Sequence, residues 1–236
     1  MAGFAFKQFC IEQENTAMKV STDGILLGAW VNLSGVKSLL DVGAGTGLLS
    51  LMCKQRAECL AVTAVEIESG AFQDAHLNIQ NSPWQDGIIL HQSAIQDFQS
   101  DIQFDLVISN PPYFNDSLKG PSAARNLARH TDSLSFSALL NEFKRLSHPL
   151  SCLAVVLPYK EGLEFIALAQ QQDLHLVRKC EVKTTERKAA SRLLLEFEYA
   201  SNRVFVEPEN TVLRIHENGQ YSEDFTTLCR DFYLKM

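Results

Sequence analysis

The chain has 236 residues, 46% hydrophobic and 21% charged, with a net charge of -7. A chain of this length and composition buries most of its surface in one core, so disorder, collagen and coiled coil are excluded as the main architecture. The acidic balance argues against indiscriminate binding to polyanions, but not against a local basic face.

The first residues, Met1 to Gln8, show no basic region followed by an apolar stretch, so no signal peptide is predicted. The longest apolar runs, such as Cys152 to Leu157, are far too short to span a membrane. Six cysteines, Cys10, Cys53, Cys59, Cys152, Cys180 and Cys229, are scattered without a C-x-x-C pair or histidines at zinc spacing. They read as reduced thiols in a cytoplasmic protein, with no metal expected. Cys53 and Cys59 could be oxidised together or could simply be buried as small apolar residues.

The segment Thr22 to Trp30 predicts one short helix. About 37 residues before Ser38 are too few for a separate domain. Short apolar runs then alternate with helical stretches, the pattern of an α/β parallel sheet. Strands are predicted at Ser38 to Gly43, Leu60 to Glu66, Gly87 to His91, Phe104 to Ser109 and Cys152 to Leu157. Helices are predicted at Thr46 to Arg56, Ala71 to Gln80, Phe136 to Leu146 and Glu161 to Gln171. Leu174 to Val182 and Leu193 to Tyr199 read as two strands with only a loop between them, hence an antiparallel hairpin at one edge. Ser222 to Leu234 reads as a closing helix capped by Ser222.

The first strand leads into Asp41-Val-Gly43-Ala-Gly45-Thr-Gly47 at the start of a helix. Glycines there let the backbone approach a ligand, and the helix N-terminus adds exposed N–H groups. Tight strand–helix turns need glycine too, so the loop alone is weak evidence. The spacing is not the G-x-G-x-x-G of the dinucleotide fingerprint, whose third position here is Leu48. Glu66, 19 residues after Gly47 at the tip of the second strand, can accept from both hydroxyls of a ribose. Together these features resemble the S-adenosylmethionine site of Rossmann-like methyltransferases. That resemblance implies a seven-stranded, mostly parallel sheet with an antiparallel edge hairpin and helices on both faces. It also implies contacts from Ile67, Ala94 and Ile95; Asp97 is either a further contact or a plain loop acid.

The fourth strand ends in Ser109-Asn110-Pro111-Pro112-Tyr113, at the sheet edge where ligands bind in open α/β folds. An exocyclic or amide nitrogen is a poor nucleophile because its lone pair is delocalised. Acceptors on both of its N–H bonds, the Asn110 side-chain oxygen and the Pro111 carbonyl, would localise that lone pair. The prolines restrict φ and hold the acceptors in place, and Tyr113 can stack on a planar substrate. Asn110, Pro111, Pro112 and Tyr113 are therefore the candidate catalytic residues. The Asn-Pro-Pro-Tyr tetrad is similar to that of amino-methylating enzymes of this fold.

The flanks narrow the substrate. Phe6-Lys-Gln-Phe9, Met18 to Trp30, Asp41 to Leu51, Asn78 to Trp84, and the closing Tyr221-Ser-Glu and Asp231 to Met236 resemble bacterial tRNA adenine-N6-methyltransferases acting beside the anticodon of a valine tRNA. Ser21 departs from the expected glycine, and residues 180–215 match weakly. The resemblance implies one methyltransferase domain over 1–236, with 1–37 as a helical extension over the cofactor site. Lys19, Thr22, Asp23 and Leu27 would close over the methionine end of the donor, Asp41 would face its α-amino group, and Gly43, Gly45, Gly47, Glu66 and Asn110 would complete the donor site. The methylated base would be adenosine 37, splayed from a single-stranded anticodon loop. Lys119, Arg125, Arg129 and His130 form one candidate phosphate-binding cluster, and Lys183, Arg187, Lys188 and Arg192 another; Arg178 and Lys179 are further basic residues. No protein partner is evident. Two other functions use the same features: a guanine-N2 rRNA methyltransferase, and a non-catalytic S-adenosylmethionine-binding RNA assembly factor.

Overall fold

The computed structural model describes residues 3–112, 134–202 and 207–236. At the start of the chain, β1 (Phe4–Ala5) and β2 (Cys10–Ile11) form a small antiparallel pair. Helix α1 (Thr22–Trp30) begins where Ser21 caps it, its Oγ accepting from Gly24 N at 3.3 Å. Then follow β3 (Ser38–Val42), α2 (Leu48–Arg56), β4 (Ala61–Glu66), α3 (Ser69–Gln80), β5 (Ile88–Gln92) and β6 (Phe104–Ser109). The remainder is α4 (Phe136–Leu146), β7 (Ser147–Pro158), α5 (Tyr159–Gln171), β8 (Leu174–Thr185), β9 (Arg192–Tyr199), β10 (Glu209–Glu217), β11 (Gln220–Tyr221) and α6 (Glu223–Cys229).

The large sheet has the order β11-β10-β8-β9-β7-β6-β3-β4-β5. Its central strands are buried on both faces, which is why they read as continuous apolar runs. In β3, Leu39 enters one hydrophobic cluster and the adjacent Leu40 the other. Ile25 and Leu26 of α1, Leu51 and Met52 of α2 and Phe225 of α6 build the first cluster. Leu139, Leu140 and Phe143 of α4 and Phe165 of α5 build the second, so helices cover both faces.

The seven expected strands form the portion β5-β4-β3-β6-β7-β9-β8, with β9 antiparallel to both of its neighbours. The sheet does not stop there: β10 lies parallel against β8, and β11 turns back on β10. Among the described residues the sheet therefore has nine strands where seven were expected. Leu213 is the one buried position in β10, and Val212 beside it is 52% exposed, so the short apolar run there shows no strand-like alternation. The closing helix is also shorter than expected. Ser222 caps α6 as predicted, accepting from Phe225 N at 3.0 Å, but the helix ends at Cys229. Phe232 then packs into the core, and Tyr233 bridges to Phe6.

Arg178 belongs to the framework. Its Nη1 donates to the buried Glu196 at 2.8 Å, and its guanidinium lies 4.2 Å from the Trp30 ring centre. Lys179 pairs with Glu181 at 3.1 Å. All six cysteines are free, with Cys53 buried and Cys59 exposed. No helix among the described residues is long and apolar enough to cross a membrane.

Candidate active site

The chain runs outward from β3 to β4 and β5, then returns to β6 on the other side of β3. The carboxyl ends of β3 and β6 therefore diverge and open a crevice, the place where open α/β sheets bind ligands. A cavity of about 520 Å³ occupies it. Gly43 and Gly45 form one side; Glu66, Ile67 and Glu68 follow from the end of β4; Ser93 to Asp97 come from the loop after β5. Asn110 and Pro112 face them from the end of β6, and Thr16, Ala17 and Met18 cross from the N-terminal segment.

The glycine loop needs its glycines. Gly43 and Gly45 have φ of +71° and +57°, the left-handed region that side chains disfavour. A Cβ built at either position meets nothing within 4 Å, so there is open space for a ligand against the bare backbone. Gly43 N and Ala44 N donate to Val65 O at 2.9 and 3.1 Å, and Gly45 N donates to Glu66 Oε2 at 2.7 Å. Glu68 N donates to Glu66 Oε1 at 2.8 Å. Each Glu66 oxygen thus accepts one backbone N–H and keeps capacity for another donor. That pair of acceptor oxygens fits a vicinal diol. Ile67 is 54% exposed at the cavity rim and Ile95 is buried in its wall, a pair suited to a flat apolar ring.

Asp41 lies beneath the loop, fully buried. Its Oδ2 accepts from Ser50 N at 3.1 Å and Ser50 Oγ at 2.7 Å, while Oδ1 has no partner among the described residues. Burial pushes its carboxyl up to about 7; the Ser50 hydrogen bonds oppose that shift and the Glu66 charge adds to it. A folded-state value above the unfolded one means that the folded protein binds the extra proton between about pH 4 and 7. Stability from this group is therefore present below the unfolded value and is lost as pH rises through that window. Asp41→Asn should remove the slope. Denaturant unfolding at pH 5 and pH 8 should show wild type losing stability relative to the variant, by an amount on the order of a few kcal/mol. Parallel pH profiles would contradict this.

Ser109 Oγ donates to Val42 O at 2.8 Å and ties the end of β6 to the end of β3. Asn110 follows at once, and its Oδ1 is buried without a hydrogen-bond partner among the described residues. An orphaned acceptor of this kind costs about 1–3 kcal/mol and calls for an explanation. Gly24 of α1 packs closely on α2 nearby: a Cβ there would sit 3.1 Å from Leu48 Cδ2, and 4.0 Å from Asn110 Nδ2, an ordinary contact.

The structure brings together Gly43, Gly45, Glu66, Ile67, Ala94, Ile95, Asp97, Asn110 and Pro112 around one cavity. Pro111 is buried beside them. Gly47 (φ +79°) packs behind the loop against Ala75. Lys19, Thr22, Asp23 and Leu27 are not brought there. Lys19 is exposed and its ammonium donates to Gln13 O. Leu27 is fully buried in the core, and Thr22 and Asp23 line a second cavity. Lys19 precedes α1; within the helix, core packing draws Leu27 inward and Thr22 and Asp23 face the second cavity. Lys183, Arg187, Lys188 and Arg192 lie at the carboxyl edge where β8 turns into β9. Tyr113, Lys119, Arg125, Arg129 and His130 lie outside the described residues. No group of His, Cys, Asp or Glu among the described residues could hold a metal ion.

Thr16, Ala17 and Met18 are cavity residues that the sequence reading missed. Two buried polar side chains of α3 hold this segment. Asp74 accepts from Asn15 N and Thr16 N at 3.0 and 2.8 Å, and Asn78 Nδ2 donates to Glu12 O and Thr46 O, both at 2.9 Å. Ala71, Asp74, Ala75, Asn78 and Ile79 recur at helical spacing on the buried face of α3. Two polar residues on an otherwise apolar stripe were a readable signal that something polar docks there. Gly70 admits the same segment: a Cβ would lie 2.6 Å from Asn15 O. Gly70→Ala should lift residues 15–18 and destabilise the protein by about 1–3 kcal/mol, with weaker ligand binding in the cavity. Unchanged thermal unfolding would contradict the packing described.

Residues 24–134 match the model of the Methyltransferase small domain family. A tRNA1(Val) (adenine(37)-N6)-methyltransferase from Pseudoalteromonas translucida is 56% identical over all of both chains. One from Vibrio campbellii is 45% identical over 99% of this chain and 96% of its own. Among solved structures, a predicted O-methyltransferase from Agrobacterium tumefaciens superposes with a TM-score of 0.66, at 16% identity, over 89% of this chain and 96% of that one. At that identity the likeness concerns the fold.

Proposed function

The chain belongs to the tRNA1(Val) (adenine(37)-N6)-methyltransferase family, and on that footing we propose that it transfers a methyl group from S-adenosylmethionine to N6 of adenosine 37, next to the anticodon of a valine tRNA. The observation that carries the chemistry is Asn110, which lines the same cavity as Glu66 and the glycine loop and whose buried Oδ1 has no hydrogen-bond partner among the described residues. The whole of 1–236 acts as one methyltransferase domain in this reading, with residues 16–18 of the N-terminal segment over the donor.

The residues present fit the donor. Glu66 accepts from the ribose hydroxyls, with Ile67 and Ile95 against the adenine. Gly43 and Gly45 would let the chain pass close to the methionine part; Asp41, buried beneath the loop and not in the cavity wall, is the acceptor the resemblance assigns to its amino group. Bound there, S-adenosylmethionine supplies an electrophilic methyl on a sulfonium, so transfer is an in-line displacement that depends on positioning.

Asn110 Oδ1 accepts one hydrogen of the target amine, and the Pro111 carbonyl accepts the other. The two acceptors draw the nitrogen lone pair out of conjugation and aim it across the cavity. As nitrogen becomes cationic, the same two dipoles stabilise it without reorganising. The proton then leaves an acidic ammonium, and no strong base is required. No metal takes part in this scheme.

The test is to incubate the protein with labelled S-adenosylmethionine and total tRNA and to identify the labelled nucleoside. N6-methyladenosine in valine tRNA is expected. Label in N2-methylguanosine, or none in RNA, would overturn the reading.

A further inference from the structure

A second cavity, of about 440 Å³, lies on the same carboxyl edge of the sheet. Along that edge, Asn110 leaves β6, Pro158 ends β7 opposite Arg192 at the start of β9, Thr184 stands near the end of β8, and His216 near the end of β10. Three strand steps separate β6 from β8, about 14 Å. The first turns of α1 stand between the two cavities. Gly24 approaches Asn110, while Thr22 and Asp23 face the second cavity.

Its walls are of two kinds. On one side Arg192 Nε donates to Asp23 Oδ2 at 2.7 Å, which sets a donor group and an acceptor group side by side. Arg192 Nη1 also donates to Ser191 O at 2.9 Å. On the other side His216 and Tyr221 are stacked, ring centres 5.1 Å apart and planes 26° apart. Tyr221 also leans on Phe225 at 4.9 Å, yet remains 48% exposed. The Asp23 carboxylate makes the space a poor site for a simple anion. A nucleobase matches it: a π face for Tyr221, and an edge that both donates and accepts for the Asp23–Arg192 pair. The exposed Arg187 and Lys188 sit on the turn between wall residues Thr184 and Ser191, where a backbone phosphate would pass.

We propose that this second cavity takes an unstacked base of the substrate RNA, a neighbour of the nucleotide that enters the first cavity, stacked on Tyr221 with its edge against Asp23 and Arg192. This rests on the reading of the chain as a tRNA methyltransferase and adds a specificity site to it. A base held here fixes the register of the loop, so that the neighbouring adenine, and not another, reaches Asn110.

The experiment uses the full-length protein and an anticodon stem-loop RNA at fixed salt. Tyr221→Ala should raise KM for RNA by about 5- to 150-fold, the range that one stacked base confers, while kcat and the Kd for S-adenosylmethionine stay within twofold. Tyr221→Phe should restore KM. Abasic substitution at one loop position near the target should raise the wild-type KM by a similar factor, and should add nothing to Tyr221→Ala. An unchanged KM, or losses that multiply at every abasic position, would overturn the proposal. The abasic series on wild-type protein also stands without any variant. A wild-type protein that methylates no RNA would instead defeat the functional reading, an outcome visible before any variant is made.

Discussion

Asn110→Ala is expected to lower kcat for methyl transfer by about 10²- to 10³-fold, the effect of deleting one preorganised polar contact to a developing charge, while donor affinity changes by less than tenfold. Thermal stability should hold or rise. The reason is the orphaned Oδ1: it is buried, accepts nothing, and contributes a desolvation cost to the folded state without a compensating hydrogen bond. A residue kept for stability behaves in the opposite way, losing fold and activity together. Kinetics, donor titration and a melting curve on the same preparation separate the two roles. A large drop in melting temperature, with the remaining folded fraction fully active, would contradict the assignment.

Glu66→Ala should weaken S-adenosylmethionine binding by about 100-fold. The substitution removes charge-assisted acceptors for two ribose hydroxyls, each such bond being worth about 1.5–3 kcal/mol. It also frees Gly45 N and Glu68 N, which the carboxylate holds at 2.7 and 2.8 Å. Part of the loss is therefore a loosened glycine loop. Glu66→Gln keeps one acceptor oxygen and loses the charge, so its Kd should fall between wild type and Glu66→Ala. Calorimetric titration checks the series. Wild-type affinity in Glu66→Ala would mean that the donor lies elsewhere.

The central sheet and the two reactive ends of the cavity were legible for physical reasons. β3 and β4 are buried on both sides, so apolar side chains fill most of their inner positions and the run is unmistakable. Gly43, Gly45 and Gly47 need positive φ, which only glycine adopts cheaply, so the loop had to be written in glycines. Asn110 is fixed by the prolines that follow it.

What stayed hidden depends on backbone groups and on contacts between distant segments. Asp74 and Asn78 signal that something polar docks on α3, but which segment it is depends on two backbone N–H groups and the Asn15 amide, some 58 residues away in sequence. The resemblance put Leu27 and Asp23 over the donor, but the rotation of α1 is set by core packing against α2. That rotation sends Leu27 inward and Asp23 to Arg192 instead. β10 escaped because a mostly exposed strand with Asn210, Thr211 and Arg214 looks like a loop until β8 is found beside it. The second cavity joins α1, β8, β10 and α6, which only the folded chain brings together.

One measurement bears most directly on how the site works: a crystal structure with a non-reactive S-adenosylmethionine analogue and an anticodon stem-loop RNA. The account predicts the N6 amine of one splayed adenine within hydrogen-bond distance of both Asn110 Oδ1 and the Pro111 carbonyl, facing the analogue's sulfonium position, with the analogue's ribose on Glu66. An adenine seated away from Asn110, or an analogue bound outside the Glu66 cavity, would contradict it.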